Sequence, residues 1–118
     1  MNIEEICEYC LAKPGVTEGF PFDETTLVFK VMNKMFVLTG LERDPPFLNL
    51  KCDPDRAIEL RSQYEDIQPG WHMHKQQWNS VYYSGSVPAD LVRELIDHSY
   101  NLVVQGLKKK DREALQNL

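Results

Sequence analysis

The 118-residue sequence predicts one α+β domain, spanning residues 1–118, in which an antiparallel sheet is covered by helices in two layers. Apolar residues recur at helical spacing in some segments, and runs of β-branched and apolar residues lie between those segments. The extended runs are grouped as hairpins instead of alternating singly with helices, which favours antiparallel pairing. The predicted order is α-β(3)-α-β(2)-α.

The first predicted helix has one apolar side. Its apolar residues, spaced three or four apart, are Ile3, Ile6, Cys7, Cys10 and Leu11. Glutamates occupy the other side, as in a helix that covers a sheet with one face only. Pro14 and Gly15 end this helix.

Three strands are predicted before residue 53. They are Thr26 to Val31, Met35 to Leu41, and a third strand with Phe47, Leu48 and Leu50. Met32-Asn33-Lys34 is a hairpin-like connection between the first two strands. A further extended piece near Thr17 to Phe20 is expected only at a sheet edge, because Pro21 follows it directly.

The second half of the chain is predicted as helix, two strands and helix. Asp53-Pro54 starts a helix that runs to about Gln63, since the carboxylate can accept an unpaired N–H and proline is harmless in the first turn. Pro69 and Gly70 open a second β region, in which Gln77 to Tyr83 is the clearest strand. Ser84-Gly85-Ser86 then forms a turn.

The last long helix begins at Pro88 and Asp90. Its apolar stripe contains Leu91, Val92, Leu95, Ile96, Leu102, Val103 and Leu107. The run Lys108 to Lys110 after Gly106 suits the C-terminus of this helix, where positive charge meets the negative end of the helix dipole. A short amphipathic piece completes the chain.

The charge balance is unfavourable for a protein that mainly grips nucleic acid. Thirteen basic and eighteen acidic residues give a net charge of −5. The acidic N-terminus does not resemble a secretory signal, and the apolar runs are too short to span a membrane. Three cysteines are too few for a disulfide scaffold, so a reducing cytoplasm is the simpler setting.

Two motifs have metal-ligand residue types but favour packing. Cys7 and Cys10 form a CxxC pattern on the apolar side of the first helix, with no second pair to complete a zinc site. His72 and His74 would share a strand face and could share a metal or an anion, but no acidic residue occurs between Ile67 and Ala89. We interpret them as surface or packing histidines.

No catalytic signature is present. The sequence has no nucleophile elbow, triad signature or phosphate-binding glycine loop, and Asp53 and Asp55 fit the polar start of a helix. We therefore predict no enzyme activity, no metal and no cofactor.

The segment from Pro69 to Gly85 is the most distinctive because it is aromatic, amide-rich and nearly uncharged. It contains Trp71, Trp78, Tyr82, Tyr83 and a single cation, Lys75. Such a surface can stack nucleobases and hydrogen-bond to their edges or to phosphates. In the alternative interpretation, Trp78, Ser80 and Tyr82 share one face of a strand, and Asn79, Val81 and Tyr83 share the other. Either set then simply packs against helices.

Short motifs over nearly the whole chain carry a family resemblance. They are Pro14-Gly15, Phe20-Pro21-Phe22, Val28 to Val31 with Lys34-Met35-Phe36, Leu50-Lys51, Pro69-Gly70 through Lys75 to Trp78-Asn79, and Ser99-Tyr100. In order and spacing they resemble the YjbR/MmcQ family, small bacterial proteins of YjbR-like fold that are commonly labelled DNA-binding. His74 and Gln77 depart from the pattern, because relatives often have asparagine before the lysine and a basic residue or histidine before the tryptophan.

The resemblance implies a two-layer YjbR-like fold. Together with the aromatic, amide-rich segment, it leads to the hypothesis of a cytoplasmic, non-enzymatic protein that binds DNA through the sheet and the hairpin from Lys75 to Asn79. In this hypothesis the phosphate-neutralising residues are Lys34, Lys51 and Lys75, the stacking residue is Trp71 or Trp78, and the hydrogen-bond donors are His72, His74 and Asn79.

Two alternatives come from other functional classes. One is a protein-interaction or chaperone-like module that uses the same sheet face, and the other is a small-ligand pocket under Trp71 and Trp78. Nucleic acid requires clustered lysines with exposed aromatics, a protein partner requires an exposed apolar patch, and a small ligand requires a cavity. We expect a monomer or weak homodimer with no membrane contact.

Overall fold

The computed structural model describes residues 1–118 and contains four helices and six strands. In chain order they are α1 (Ile3–Leu11), β1 (Val16–Gly19), β2 (Thr26–Val31), β3 (Lys34–Gly40), β4 (Phe47–Lys51), α2 (Pro54–Gln63), β5 (Ile67–Pro69), β6 (Trp78–Tyr82), α3 (Ala89–Gln105) and α4 (Lys109–Gln116). Every paired strand is antiparallel to its neighbour, so the predicted α+β class is confirmed.

The six strands form one sheet in the order β1-β2-β3-β4-β6-β5. β2 turns into β3 at Met32 and Asn33, whose φ angles of 48° and 68° are the left-handed pair that a tight hairpin needs. The register between these strands shifts after Phe29, which leaves Phe36 as an extra residue of β3. As a result, Phe36 and Val37 are both fully buried.

The hydrophobic core lies between one face of the sheet, here called the helix side, and the helices. Alternate residues of β2 from Leu27 to Val31 belong to this core. Ser99 of α3 ties the helix to the middle of the sheet, because its hydroxyl donates to the Phe36 carbonyl at 2.6 Å and accepts from the Lys51 N–H at 2.9 Å.

Two polar clusters join the helices to one another. Between α1 and α3, the Tyr9 hydroxyl donates to the Asp97 carboxylate at 2.7 Å, and Lys13 forms an ion pair with the same carboxylate. Between α2 and α3, Arg56 pairs with Glu94. These contacts hold the helices in one layer over the sheet.

Several predicted boundaries agree with the structure. Asp53 is the N-cap of α2, with its carboxylate accepting the Arg56 N–H at 3.1 Å, and this helix ends at Gln63. The extended piece near Thr17 is the edge strand β1. Cys10 is fully buried and Cys7 is half-buried against the core, which agrees with the packing interpretation of the CxxC pattern.

Two local interpretations are wrong. The second β region begins at Ile67 instead of Pro69, because Ile67 pairs with Val81 of β6 before the chain leaves the sheet. The run Lys108 to Lys110 does not end the long helix: the chain turns after α3, and this run forms the start of α4. The buried side chains of Leu107 and Leu115 explain the turn, since both join the core.

Candidate binding face of the sheet

The sheet face opposite the helices, here called the open face, is only partly covered. Because β2 side chains alternate, Thr26, Val28 and Lys30 lie on this face. Met35 pairs with Lys30 and Leu38 follows on the same strand, so β3 contributes two half-buried apolar side chains to it. The open face therefore combines apolar and polar side chains near its centre.

The segment Gly70–Gln77, here called the covering loop, joins β5 to β6 and lies over part of the open face. Gly70 approaches β6 so closely that a Cβ at this position would lie 2.8 Å from the Cβ of Trp78. The Gly70 N–H donates to the Trp78 carbonyl at 2.8 Å, and Lys75 Nζ donates to the Gly70 carbonyl at 2.9 Å. The first residue of the loop is thus held against the sheet.

A buried polar network fixes the next residue of the covering loop. The Asn49 amide donates to the Trp71 carbonyl at 3.0 Å, and the Trp71 N–H donates to Ser80 Oγ at 2.9 Å. Ser80 Oγ in turn donates to Asn49 Oδ1 at 2.5 Å. Asn49 and Ser80 are 0% and 1% exposed, so the Trp71 backbone is attached to the sheet by two buried side chains.

The Trp71 ring projects from this network and is 41% exposed. One side packs edge-on against Phe47, with ring centroids 6.1 Å apart. The guanidinium carbon of Arg43 lies 3.9 Å from the centroid of the Trp71 ring, which is cation–π geometry. The His72 ring packs beside the same Trp71 ring, with the two ring centroids 3.9 Å apart. The backbone of His72 is in the left-handed region, with a φ angle of 57°.

Two grooves meet at Trp71. The apolar groove encloses about 260 Å³, and its walls include Phe22, Met35, Leu38, Trp71 and Met73. The polar groove encloses about 430 Å³, and its walls include Asp23, Thr25, Glu42, Arg43, Phe47 and Trp71. Thr26 and Leu38 line both grooves, so the two grooves are neighbours on the open face.

Asp23 gives the polar groove a fixed negative charge. Its carboxylate accepts hydrogen bonds from the Thr25 N–H at 2.9 Å and the Thr26 N–H at 2.7 Å. These backbone bonds, together with one from the Thr26 hydroxyl, lower the pKa of Asp23 below its usual value. Asp23 is therefore ionised at neutral pH.

Four of the predicted site residues are exposed in the covering loop: Trp71, His72, His74 and Lys75. His72 and His74 do not share a strand face, because the chain leaves the sheet after Pro69 and rejoins it at Trp78. The expectation of a histidine pair on one strand is therefore wrong.

Trp78 and Asn79 are placed where a ligand cannot reach them. Trp78 is 9% exposed and lies beneath Gly70, and Asn79 is 2% exposed. The Asn79 amide is occupied within the chain, since its oxygen accepts from Arg61 Nε at 2.7 Å and its nitrogen donates to the Ala57 carbonyl at 3.4 Å. Of the two candidate stacking residues, Trp71 is the one that offers its ring to solvent.

The three lysines expected to contact phosphate are not brought to one face. Lys34 pairs with the core residue Val31, so it is directed to the helix side at the end of the hairpin. Lys51 is half-buried at the end of β4, and the Lys75 ammonium donates to a carbonyl of its own loop. Lys51 lies on the open face by its alternation with Asn49, so two of the three lysines are on the side of the covering loop and Lys34 is not.

Most residues that build the grooves are absent from the site predicted from the sequence, among them Phe22, Asp23, Leu38, Glu42 and Arg43. The sequence does contain an indication for Phe22, because this aromatic residue follows Pro21 and belongs to none of the predicted helices or strands. Arg43 gave no signal, because a cation in a charged turn is an ordinary surface residue. Only the folded chain shows that it lies over Trp71.

The structure contains no cluster of three or more His, Cys, Asp or Glu side chains that could hold a metal ion. None of its helices has the length and apolar character needed to cross a bilayer.

Comparison with known proteins connects the chain to one family. The family model YjbR matches residues 11–102. The uncharacterized protein YbdF of Escherichia coli O157:H7 is 41% identical over 106 residues, which are 90% of this chain and 87% of that protein. The uncharacterized protein YjbR of Escherichia coli K12 is 34% identical over 118 residues, the full length of both.

Two solved structures are similar to this one. A crystal structure of Deinococcus radiodurans protein DR2400, with a DUF419 domain, has a TM-score of 0.91 and 40% identity, covering 98% of this chain and 88% of that one. A crystal structure of a protein from Pseudomonas syringae has a TM-score of 0.75 and 25% identity, covering 86% and 98%.

Proposed function

The chain belongs to the YjbR family, and for this member we propose a non-catalytic role in which the open face of the sheet binds an extended segment of a partner protein. The apolar groove between Phe22 and Trp71 receives an apolar side chain of that segment. The observation that carries this proposal is the exposed Trp71 ring on a rigidly anchored backbone beside an apolar groove.

The exposed apolar side chains support a protein partner. Phe20 and Phe22 are 49% and 67% exposed, and Trp71 is 41% exposed. Phe22 and Trp71 line the same apolar groove. Exposed apolar surface of this kind marks interaction sites on soluble domains, and tryptophan is among the residues that contribute most to such interfaces. Because Trp71 is already positioned by Asn49 and Ser80, binding loses little conformational entropy at this residue.

DNA binding, which the family resemblance implies, has weaker support on the same face. Phosphate binding depends on cations placed along the nucleic-acid backbone, and here Lys34 lies on the helix side while the Lys75 ammonium already donates to the Gly70 carbonyl. The polar groove beside Trp71 contains the carboxylates of Asp23 and Glu42, which repel phosphate.

A non-catalytic role is consistent with the cysteine environments. Burial raises the pKa of Cys10 to about 12 and that of Cys52 to about 11, so both thiols are protonated and poorly nucleophilic at neutral pH. All three cysteines are free, which supports our proposal of a reducing cytoplasmic setting.

The test is a selection of random peptides on the immobilised protein. We expect enriched peptides to bind wild type and to bind Trp71→Ala about tenfold more weakly or worse, as for a central aromatic contact. Phe22→Ser should weaken the same peptides. Leu11→Ser is the matched control, because Leu11 is 42% exposed on α1, in the helix layer opposite the open face, and its loss should leave binding unchanged.

Two outcomes would contradict the proposal. One is that no peptide is enriched, or that enriched peptides bind Trp71→Ala as well as wild type. The other comes from titrating a labelled duplex and a labelled single strand at low and physiological salt. If either nucleic acid binds wild type in a salt-dependent manner and this binding is lost in Trp71→Ala, the partner of the open face is nucleic acid and not a protein segment.

A further inference from the structure

The polar groove already holds a cation from this chain. The Arg43 guanidinium lies over the Trp71 ring at 3.9 Å, yet it donates no hydrogen bond and forms no ion pair with any group of the protein. A solvent-exposed cation–π contact without a charged partner is weak. Arg43 is therefore held in place lightly enough for another group to replace it.

The walls of the polar groove have the chemistry that recognises a basic side chain. The Trp71 ring offers a π face, and the carboxylates of Asp23 and Glu42 line the same groove. Glu42 makes no ion pair or side-chain hydrogen bond within the chain, so its carboxylate is available to a ligand. The net charge of −5 also attracts a basic segment at a distance.

We propose that the polar groove binds an arginine or lysine side chain of the partner segment, and that Arg43 is an internal occupant which this side chain displaces. The inference rests on the proposed function in one respect, that the basic residue belongs to the segment whose apolar residue enters the neighbouring groove. In an extended segment, side chains two residues apart point the same way about 7 Å apart. Leu38 and Thr26 line both grooves, so such a pair can occupy the two together.

Gly40 provides a way to move Arg43 without removing its charge. A Cβ at Gly40 would lie 2.7 Å from Cγ of Arg43, which shows that the stem of Arg43 passes directly over this glycine. Gly40→Ala therefore forces the arginine side chain to shift, whereas Arg43→Ala removes it. Both variants should uncover the Trp71 ring by different means.

The experiment compares two peptides, acetyl-leucyl-seryl-arginine amide and the same peptide with citrulline, which has the shape of arginine without its charge. Binding is followed by the indole N–H resonance of Trp71. We expect the arginine peptide to bind wild type about two- to fivefold more tightly than the citrulline peptide. Arg43→Ala should tighten binding of the arginine peptide by about threefold, because the internal competitor is gone. Gly40→Ala should tighten it by less, because the added methyl group also lines the polar groove. Glu42→Gln should reduce the preference for arginine.

The outcomes separate this inference from the proposed function. Equal binding of both peptides, in wild type and in Arg43→Ala, overturns the basic-residue site while leaving the apolar groove supported. Acetyl-arginine amide alone is the third probe. One result would be that this probe shifts the Trp71 resonance of Arg43→Ala, yet binds as tightly as either peptide does. That result would support the cation site and contradict the peptide-binding proposal.

Discussion

The two faces of this sheet are formed by the same strands but differ in what covers them. On the helix side, every second residue of β2 and β4 is buried in a continuous core, and Ser99 and Asn79 satisfy polar groups inside it. On the open face, the buried polar pair Asn49 and Ser80 supports a loop whose tryptophan remains exposed. Stability therefore depends mainly on the helix side, and the proposed binding depends on the exposed side chains of the open face, so changes to those exposed side chains should affect binding more than stability.

The largest expected difference between the two faces is the decrease in the free energy of unfolding when a phenylalanine side chain is removed. Phe29→Ala on the helix side removes a fully buried ring and should lower the free energy of unfolding by about 3–5 kcal/mol. Phe22→Ala, which removes a ring that is 67% exposed, should change it by about 0.5 kcal/mol or less. Urea denaturation of both variants is the measurement, and equal costs would show that the open face is part of the core.

A second test removes the buried hydrogen bonds that attach the covering loop to the open face. Asn49→Ala leaves the Ser80 hydroxyl and the Trp71 carbonyl without their partner, which should cost about 2 kcal/mol. It should also broaden or shift the indole N–H resonance of Trp71, because the covering loop loses its attachment. Trp78→Phe is a suitable background, since it leaves Trp71 as the only indole. An unchanged Trp71 resonance would mean that the network does not position the ring.

A third test makes the same chemical change on each side. Tyr9→Phe removes the hydroxyl that donates to Asp97 between α1 and α3, and should cost about 1 kcal/mol. Tyr82→Phe is the control on the open face, because the Tyr82 hydroxyl makes no hydrogen bond within the chain. Thermal or urea unfolding compares the two. A cost for Tyr82→Phe as large as that for Tyr9→Phe would contradict the assignment of stability to the helix side.

The smallest expected effect is a pH dependence on the helix side. His98 Nε2 accepts the Asp53 N–H at 3.1 Å, which requires a neutral acceptor nitrogen. Burial, with a smaller contribution from nearby Arg56, lowers the pKa of His98 below its usual value. The stability that this lowering contributes is fully present above the unfolded pKa of about 6.5 and is lost as pH falls through the folded value.

Unfolding measured from neutral to mildly acidic pH should therefore show a steeper loss of stability for wild type than for His98→Gln, whose amide oxygen can accept the same bond. The comparison of the two proteins removes the common contribution of the carboxylates. Parallel pH profiles would show that His98 does not couple to folding. Trp71-dependent peptide binding should be the same in both proteins.

Much of the fold could be predicted because it depends on local patterns. The periodicity of Ile3 to Leu11 and the apolar stripe after Asp90 identify α1 and α3, and Asp53-Pro54 marks the start of α2 by its capping chemistry. The prediction that Lys108 to Lys110 end the long helix is wrong, although the charge of this run suits a helix C-terminus in isolation. The burial of Leu115, a long-range contact, outweighs that preference.

The candidate site could be predicted only in part. The segment that contains Trp71 and Trp78 stands out by composition, but their opposite exposures follow from Gly70, which brings the covering loop down onto Trp78. The groove residues Phe22 and Arg43 are distant from this segment in sequence. No local spacing relates them to Trp71, so their assembly could not be read from the chain.

By itself, the sequence determined the element types, the antiparallel pairing and the family, because propensity, capping and alternation act over a few residues. Only the tertiary structure decided which side of the sheet each alternating set would face, and which aromatic ring would remain in solvent. Alternation separates Trp78 from Asn79 onto opposite faces, yet both are buried, one under a loop and the other against α2. Burial depends on what covers a face, and here the covering elements come from distant parts of the chain.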